Sequence, residues 1–235
     1  MIGNRFCRYE LRTTELDSAR AFYAAVIDSR FWGPDVGLVP LPDRAAALGA
    51  PAHWLGHVGV GDVEAAAERI LALGGQRLGP TGRDADGSHI VLRDQFGSVL
   101  AVRPASTPHD DPVAWHLLAV QEHERAFAAY AALFGWTATG AVDLGPELGR
   151  HQQFSWDDTG RTVGSVADIA RSPRIHPQWQ FFFRVADIDG ALARTREAGG
   201  TVLGRMANEA GDLMAPCEDP QGAAFALFQP RPAGA

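Results

Sequence analysis

Hydrophobic and polar residues recur along this chain with two periods, which predict a mixture of strands and helices. Residues 8–13 alternate in polarity, as a half-buried strand does, and residues 16–27 carry an apolar stripe with helical spacing. Thr14, with Asp17 three residues later, resembles a capping box and predicts the start of that helix. Residues 53–60 predict another strand. The pattern indicates an α+β protein.

A second helix is predicted after residue 62, and its features occur twice. Asp62 can cap the helix formed by DVEAAAERILAL, and Gly74 with Gly75 can end it, since glycine adopts positive φ at little cost. Residues 187–200, DIDGALARTREAGG, have the same cap and the same glycine pair. These two segments indicate an internal duplication.

The duplication covers most of the chain. Residues 53–103 align without a gap on residues 178–228, and ARAFYAAVID (19–28) aligns on AFAAYAALFG (126–135). The second alignment has a shift 18 residues smaller than the first, so the first half lacks 18 residues between positions 29 and 51. Identical pairs in the longer alignment include Trp54/Trp179, Asp62/Asp187, Gly74/Gly199, Asp94/Asp219 and Gly97/Gly222.

A segment rich in proline, aspartate and small polar residues, PASTPHDDP, separates the two copies. We therefore predict two tandem domains, residues 1–105 and 113–235, with residues 106–112 as the linker. Each domain is expected to hold two βαβββ units, with strands curled around a cleft and helices outside. In the first domain, the first unit is shortened.

Several segments resemble the vicinal oxygen chelate superfamily, which includes glyoxalase I, bleomycin and fosfomycin resistance proteins and extradiol dioxygenases. They are YELRTTELDSARAFYAAV (9–26), HLLAVQEHERAFAAYAALFGW (116–136), the two capped helices, RDQFGSVLAV and EDPQGAAFALF. The resemblance is strongest for a tandem, glyoxalase-like branch. It implies the fold predicted above but no particular reaction, because one scaffold carries many chemistries.

The resemblance also implies where a catalytic divalent metal would be bound. The corresponding positions are Arg8, Leu55 and Ala101 in the first half and Trp115, Gln180 and Ala226 in the second. Only Gln180 has a lone pair suited to a metal, and one neutral amide cannot hold a divalent ion against water. We therefore expect no metal ligands and no other cofactor.

Strand alternation points a polar set of side chains toward the first cleft, including Arg8, Glu10 and His57. Arg8 could replace a metal as a fixed cation and bind a carboxylate or phosphate with a forked pair of donors. The alternative is a structural ion pair between Arg8 and Glu10. His57, with His53, fits a hydrogen-bonding strand surface better than a metal site.

The second cleft is predicted to be more aromatic. Alternation directs Trp115, Gln180, Phe182 and Arg184 inward, and His151 with Gln153 on a further strand could add hydrogen bonds. An apolar lining with a few polar groups is typical of small-molecule sites. The alternative is that the aromatic residues only fill the core.

Composition narrows the possible partners. The 235 residues include 21 basic and 28 acidic side chains, a net charge of −7, with no basic run, which argues against nucleic acid and anionic membranes. No apolar stretch is long enough to span a bilayer and the N-terminus lacks a signal-peptide pattern, so a cytoplasmic protein with its two cysteines reduced is expected.

The leading hypothesis is a glyoxalase-like protein without the usual metal ligands that binds a small organic molecule, mainly in its C-terminal domain. One alternative is a lyase, isomerase or dioxygenase of the same superfamily, with or without metal. Another is a resistance protein that sequesters a compound unchanged. A monomer or a homodimer is compatible with the tandem repeat.

Overall fold

A computed structural model describes residues 3–172, 175–208 and 210–232 of this chain. The strands of the first half are β1 (Arg5–Thr13), β2 (Val36–Pro40), β3 (His53–Val60), β4 (Gln76–Arg77), β5 (Gly82–Asp84), β6 (Gly87–Arg93) and β7 (Val99–Pro104). Those of the second half are β8 (Val113–Ala119), β9 (Thr137–Asp143), β10 (Arg150–Ser155), β11 (Gly164–Ala167), β12 (Gln178–Arg184), β13 (Thr201–Val202), β14 (Met206–Ala207), β15 (Leu213–Glu218) and β16 (Ala224–Gln229). The helices are α1 (Leu16–Val26), α2 (Asp43–Ala47), α3 (Val63–Ala72), α4 (His123–Phe134), α5 (Gly145–Leu148) and α6 (Ile188–Glu197), with a 3-10 turn at Asp168–Arg171.

These strands form two large curled sheets, and the predicted α+β fold class is confirmed. The seven-stranded sheet has the order β2-β1-β3-β7-β6-β4, with β5 paired to β6. The nine-stranded sheet has the order β13-β15-β16-β12-β8-β11-β10-β9, with β14 paired to β15. Each sheet contains parallel pairs, such as β3 with β7 and β12 with β16, next to antiparallel hairpins.

The chain also divides into two compact units that do not follow the order of the sequence. Unit 1 comprises residues 1–7, 55–108 and 116–179, and unit 2 comprises residues 8–54, 109–115 and 180–235. Each unit therefore contains segments from both the N-terminal half and the C-terminal half of the chain. The division into two tandem domains at residues 106–112 stays a prediction.

Helix boundaries agree with the predicted caps at two of three positions. The carboxylate of Asp62 accepts a hydrogen bond from the Ala65 amide, and Asp187 accepts one from the Gly190 amide, so α3 and α6 begin as predicted. The predicted capping box at Thr14 is wrong. Glu15 occupies the N-cap of α1 without a side-chain cap bond, and its own amide donates to Thr13 Oγ1 instead.

The core of unit 1 is aromatic and contains a buried hydrogen-bonded triad. Tyr130 of α4 donates to Asp94 at 2.8 Å, and the indole of Trp179 donates to the Tyr130 hydroxyl at 3.2 Å. Trp136 stacks on Phe154 with ring centroids 4.8 Å apart. Burial of these rings fixes α4 against the strands of the unit.

The core of unit 2 repeats that triad with different residues. Tyr23 of α1 donates to Asp219 at 3.1 Å and accepts from the Trp54 indole at 2.9 Å. Tyr23 also packs against Phe31, Trp32 and Phe225. The internal duplication is thus expressed as one buried Tyr–Asp–Trp arrangement in each unit.

The shortened segment of the first half forms only one strand and one helical turn, β2 and α2. Asp35, just before β2, accepts hydrogen bonds from the amides of His109 and Asp110 in the predicted linker, at 2.7 and 2.8 Å. This carboxylate attaches the linker to the rest of unit 2.

Candidate functional site

Strand alternation in unit 2 separates an aromatic core from two polar faces. The ring of Tyr9 on β1 packs against Phe181 and Phe183 of β12, with centroids 4.9 and 6.5 Å apart. Neighbouring side chains of a strand point to opposite faces. The residues whose parity is opposite to that of Tyr9, Phe181 and Phe183 therefore point away from this core. Those residues are Arg8, Glu10 and Arg12 on β1 and Gln180, Phe182 and Arg184 on β12.

The β1 face carries a network of two arginines around one carboxylate. Arg8 Nε lies 3.0 Å from Glu10 Oε1, and Arg12 Nη2 lies 3.6 Å from Glu10 Oε2. Arg8 Nη1 also donates to the Pro34 carbonyl at 2.7 Å. The predicted pairing of Arg8 with Glu10 is present, and Arg12 extends it.

Gly37 of β2 makes room for this network. It lies opposite Glu10 in the parallel β1–β2 register, and a Cβ at this position would come within 2.8 Å of Arg8 Nη2. Any larger residue would push the Arg8 guanidinium out of place.

The aromatic candidate residues of the C-terminal half lie in unit 2. Trp115 and Gln180 are half-buried, and Phe182 is buried on the same face of β12 as Gln180. Gln180 Nε2 donates to the Phe225 carbonyl at 3.1 Å, so its amide group is oriented by the backbone of β16. Its carbonyl oxygen and its second N–H are left for other interactions.

Arg184 is fixed at the end of the same strand. Its Nε donates to the Asp111 carbonyl at 2.9 Å, and its Nη2 lies 3.1 Å from the Asp111 carboxylate. The predicted cleft arginine thus pairs with a residue of the predicted linker, which the sequence pattern did not indicate.

His57 lies in unit 1, next to a cluster of charged side chains. Its side chain is fully buried, and its ring lies 5.5 Å from that of His89. Beside them, Arg103 Nη2 contacts the carboxylates of Asp84 and Asp86 at 3.1 and 3.2 Å. This arrangement places His57 in the interior of the unit.

His151 and Gln153 lie on β10 in unit 1, as the predicted strand requires. His151 Nε2 lies 3.0 Å from the Leu148 carbonyl, which can only accept, so Nε2 carries the proton. His151 Nδ1 then accepts from the hydroxyl of Ser165, also at 3.0 Å. Burial lowers the pKa of His151, which favours this neutral form. Gln153 lies opposite Ser165 in the β10–β11 register.

The residues at the implied metal positions do not fit a divalent ion. Leu55, Ala101 and Ala226 are fully buried and apolar, and Gln180 offers a single neutral amide oxygen, which cannot hold a divalent ion against water. Within residues 3–172, 175–208 and 210–232, no three His, Cys, Asp or Glu side chains converge as a metal centre requires.

Sequence reasoning missed the partners that fix these side chains. Ser165 and Asp111 carry no motif, and their contacts with His151 and Arg184 depend on strand register and linker path. Strand alternation does place Arg12 on the same face as Arg8 and Glu10, because the three residues have the same parity.

The α+β fold has two curled sheets, a core triad that occurs once in each unit, and polar strand faces. These features define the class of proteins that are built from paired βαβββ units. Residues 112–227 match the family model described as "Glyoxalase/Bleomycin resistance protein/Dioxygenase superfamily". This match covers the C-terminal half of the chain, and it confirms the resemblance seen in the sequence.

Two relatives illustrate the range of the family. The Mycobacterium tuberculosis protein CFP32, which carries the name of a glyoxylase, is 24% identical over 253 residues, which is 95% of this chain and 94% of that protein. The anthracycline biosynthesis protein DauV of Streptomyces sp. strain C5 is 32% identical over 130 residues, 49% of this chain and 46% of that protein.

Solved structures share the fold at low sequence identity. Homoprotocatechuate 2,3-dioxygenase from Arthrobacter globiformis has a TM-score of 0.65 at 13% identity, covering 98% of this chain and 82% of that one. The Mn(II)-bound glyoxalase from Novosphingobium aromaticivorans has a TM-score of 0.61 at 11% identity, covering 97% and 82%. At such identities the likeness concerns the fold alone. None of the helices in the described ranges has the length and apolar character needed to cross a membrane.

Proposed function

We propose that this protein binds a small organic molecule without a metal ion, chiefly through its C-terminal half. The observation that carries the proposal is the β12 face of unit 2, where a half-buried Gln180 and a fixed Arg184 accompany Phe182, with the half-buried Trp115 in the same unit. Apolar surface with a few oriented polar groups is the usual composition of a ligand site.

An aromatic ligand is favoured over an aliphatic one. Trp115 is only half-buried, and aromatic rings gain from stacking on one another beyond the area they bury. The name of the relative DauV, an anthracycline biosynthesis protein, supports a polycyclic aromatic class. The oriented Gln180 oxygen and the Arg184 guanidinium would then select among aromatic molecules by their oxygen and hydroxyl groups.

The proposal is tested by fluorescence titration of the full chain with an anthracycline. We expect saturable binding that quenches tryptophan emission and that persists in excess EDTA. Trp115→Leu should weaken binding at least several-fold. Trp32→Leu is the matched control, because Trp32 is also half-buried but packs against Trp54 in the aromatic core.

Two results would contradict the proposal. An anthracycline that fails to bind the wild-type protein excludes the anthracycline class, and equal weakening by Trp32→Leu and Trp115→Leu excludes the assigned face. Binding that disappears in EDTA and returns with a divalent ion would favour the metal-dependent alternative.

The chemical state of the ligand after its release distinguishes a sequestering protein from an enzyme. An anthracycline that is released chemically unchanged, as judged by its mass, is the result expected of a sequestering protein. A changed mass or isomer would favour a lyase, isomerase or dioxygenase of the same superfamily.

A further inference from the structure

We infer that a cavity of unit 2, between the linker and the segment that joins α1 to β2, binds a small organic cation, a primary ammonium attached to an apolar group. The cavity has a volume of about 360 Å³. This is near the lower end of the range for small-molecule pockets, roughly 300–1,000 Å³. None of the residues assigned to the proposed aromatic site lines it, so the inference goes beyond the proposed function.

The two walls of the cavity are held together in the folded protein. Asp35 joins them, because its side chain, only 9% exposed, accepts hydrogen bonds from the amides of His109 and Asp110 at 2.7 and 2.8 Å. The wall before β2 is ordered by its own backbone, where Gly33 and Val36 exchange two hydrogen bonds of 3.1 and 3.3 Å. A ligand would therefore enter a cavity that is already formed, which limits the entropy lost on binding.

The charged side chains that line the cavity favour a cation over an anion. Three are acidic, Asp28, Asp35 and Asp110, and one is basic, Arg30. Arg30 Nε lies 3.4 Å from Asp28 Oδ1, so the one lining guanidinium already has an acid partner. Asp110 is exposed, and its carboxylate has no ion-pair partner among the residues that the structure describes.

The other basic groups nearby also have acid partners. These pairs are Arg8 with Glu10, Arg184 with Asp111, and His109 with Asp35. Arg8 also donates to the carbonyl of Pro34, a lining residue, at 2.7 Å. Among its charged side chains, the lining thus offers a cation the unpaired carboxylate of Asp110, and it offers an anion only the paired Arg30.

Apolar surface beside these carboxylates favours an organic cation over a metal ion. Phe31, Val36 and Pro112 also line the cavity, and an apolar group on the ligand would cover them. The ring of Phe31 can in addition attract a cation that lies over its face. A metal ion gains nothing from such a lining, and no three His, Cys, Asp or Glu side chains in the described part of the chain converge as a metal centre requires.

The inference is tested by calorimetric titration of the full chain at low salt with benzylammonium, benzyl alcohol and calcium ions. Benzylammonium should bind, because it joins one positive charge to an apolar ring. Benzyl alcohol, which has a similar shape without the charge, should bind several-fold more weakly. Calcium at the same concentration should not displace benzylammonium.

Two substitutions in the lining should change the affinity in opposite directions. Asp110→Asn removes the unpaired carboxylate and should lower benzylammonium affinity by about fivefold, the upper end of what an exposed ion pair contributes. Arg30→Gln removes the lining cation and leaves Asp28 for the ligand, so it should raise the affinity by about twofold. Asp110 is exposed and the Arg30 side chain is 89% exposed, so both variants should fold.

The matched control is Asp43→Asn. Asp43 is also an exposed acid of unit 2, but it does not line the cavity, so benzylammonium affinity should stay unchanged. No benzylammonium binding, equal binding of benzyl alcohol, displacement by calcium, equal weakening by Asp43→Asn and Asp110→Asn, or a lower affinity in Arg30→Gln would each overturn the inference. Failure of anthracycline binding alone would overturn only the proposed function.

Discussion

The hydroxyl of Tyr23 donates a hydrogen bond to the carboxylate of Asp219, 196 residues further along the chain, at 3.1 Å. Asp219 uses its other oxygen to accept from the amides of Gln221 and Ala223, so one side chain both forms a turn and holds α1. Tyr130 and Asp94 repeat this relationship in unit 1. The duplicated sequence thus stabilises each unit with a contact between distant segments.

Removing the Tyr23 hydroxyl should destabilise the protein. Tyr23→Phe leaves Asp219 Oδ2 without its hydroxyl donor and the Trp54 indole without an acceptor, both in a buried environment. We expect a loss of about 1–3 kcal/mol in the free energy of unfolding, measured by urea denaturation. Tyr130→Phe should cost a similar amount. Unchanged stability in both variants would mean that the triads are replaceable.

The carboxyl of Asp219 should make stability depend on pH. Burial raises its pKa, although the backbone bonds from Ala223 and Gln221 oppose this effect. The folded protein therefore holds this proton more tightly than the unfolded chain, and the contribution of Asp219 is greatest at acidic pH and declines as pH rises through the folded pKa.

This effect is measured by comparing wild-type protein with Asp219→Asn. The unfolding free energy of the wild type should rise relative to the variant as pH falls from neutral toward 4. Asp28→Asn should give the opposite sign as pH is lowered further, below about 4, because hydrogen bonds from Arg30 lower the pKa of Asp28. If the unfolding free energies of the wild type and both variants change in parallel with pH, the pKa shifts assigned to Asp219 and Asp28 are refuted.

A buried serine without a partner offers a stabilising substitution. Ser98 Oγ is buried with no hydrogen-bond partner among the described residues, and the aligned position in the second half is Ala223. Ser98→Ala should raise the free energy of unfolding by about 1 kcal/mol. Ser165→Ala, which removes the bond to His151, should lower it instead. A stabilisation in Ser165→Ala would contradict this reasoning.

Neither cysteine should react with a thiol reagent in the native protein. Cys7 and Cys217 are buried, and burial raises the pKa of Cys217 to about 12. At pH 8, on the order of one Cys217 thiol in ten thousand is then ionised, and only the thiolate is a good nucleophile. Ellman's reagent should titrate two thiols after denaturation and none before. Rapid labelling of the native protein would disprove this.

The expected absence of a bound metal can be measured directly. Elemental analysis of the dialysed protein should give far less than one equivalent of zinc, nickel, manganese or iron, since the aligned positions lack a sufficient donor set. One retained equivalent would place a metal centre outside the positions that the family resemblance implies.

The sequence by itself determined the features that depend on neighbouring residues or on the duplication. Asp62 and Asp187 begin their helices, the turns at Asp94 and Asp219 recur, and the repeat predicted the fold class. Local hydrogen bonds and backbone preferences are sufficient for these. The Thr14 cap failed because Thr13 accepts the Glu15 amide and Glu15 takes the N-cap position, which the spacing alone could not distinguish.

Only the tertiary structure decided which distant groups meet. The sequence pattern gave Arg184 and His151 as candidates but not their partners Asp111 and Ser165, and it did not pair Tyr23 with Asp219. Such contacts depend on strand register and on which segments pack into one unit. These are fixed by burying apolar surface between segments far apart in the chain, and a local pattern carries little information about that choice.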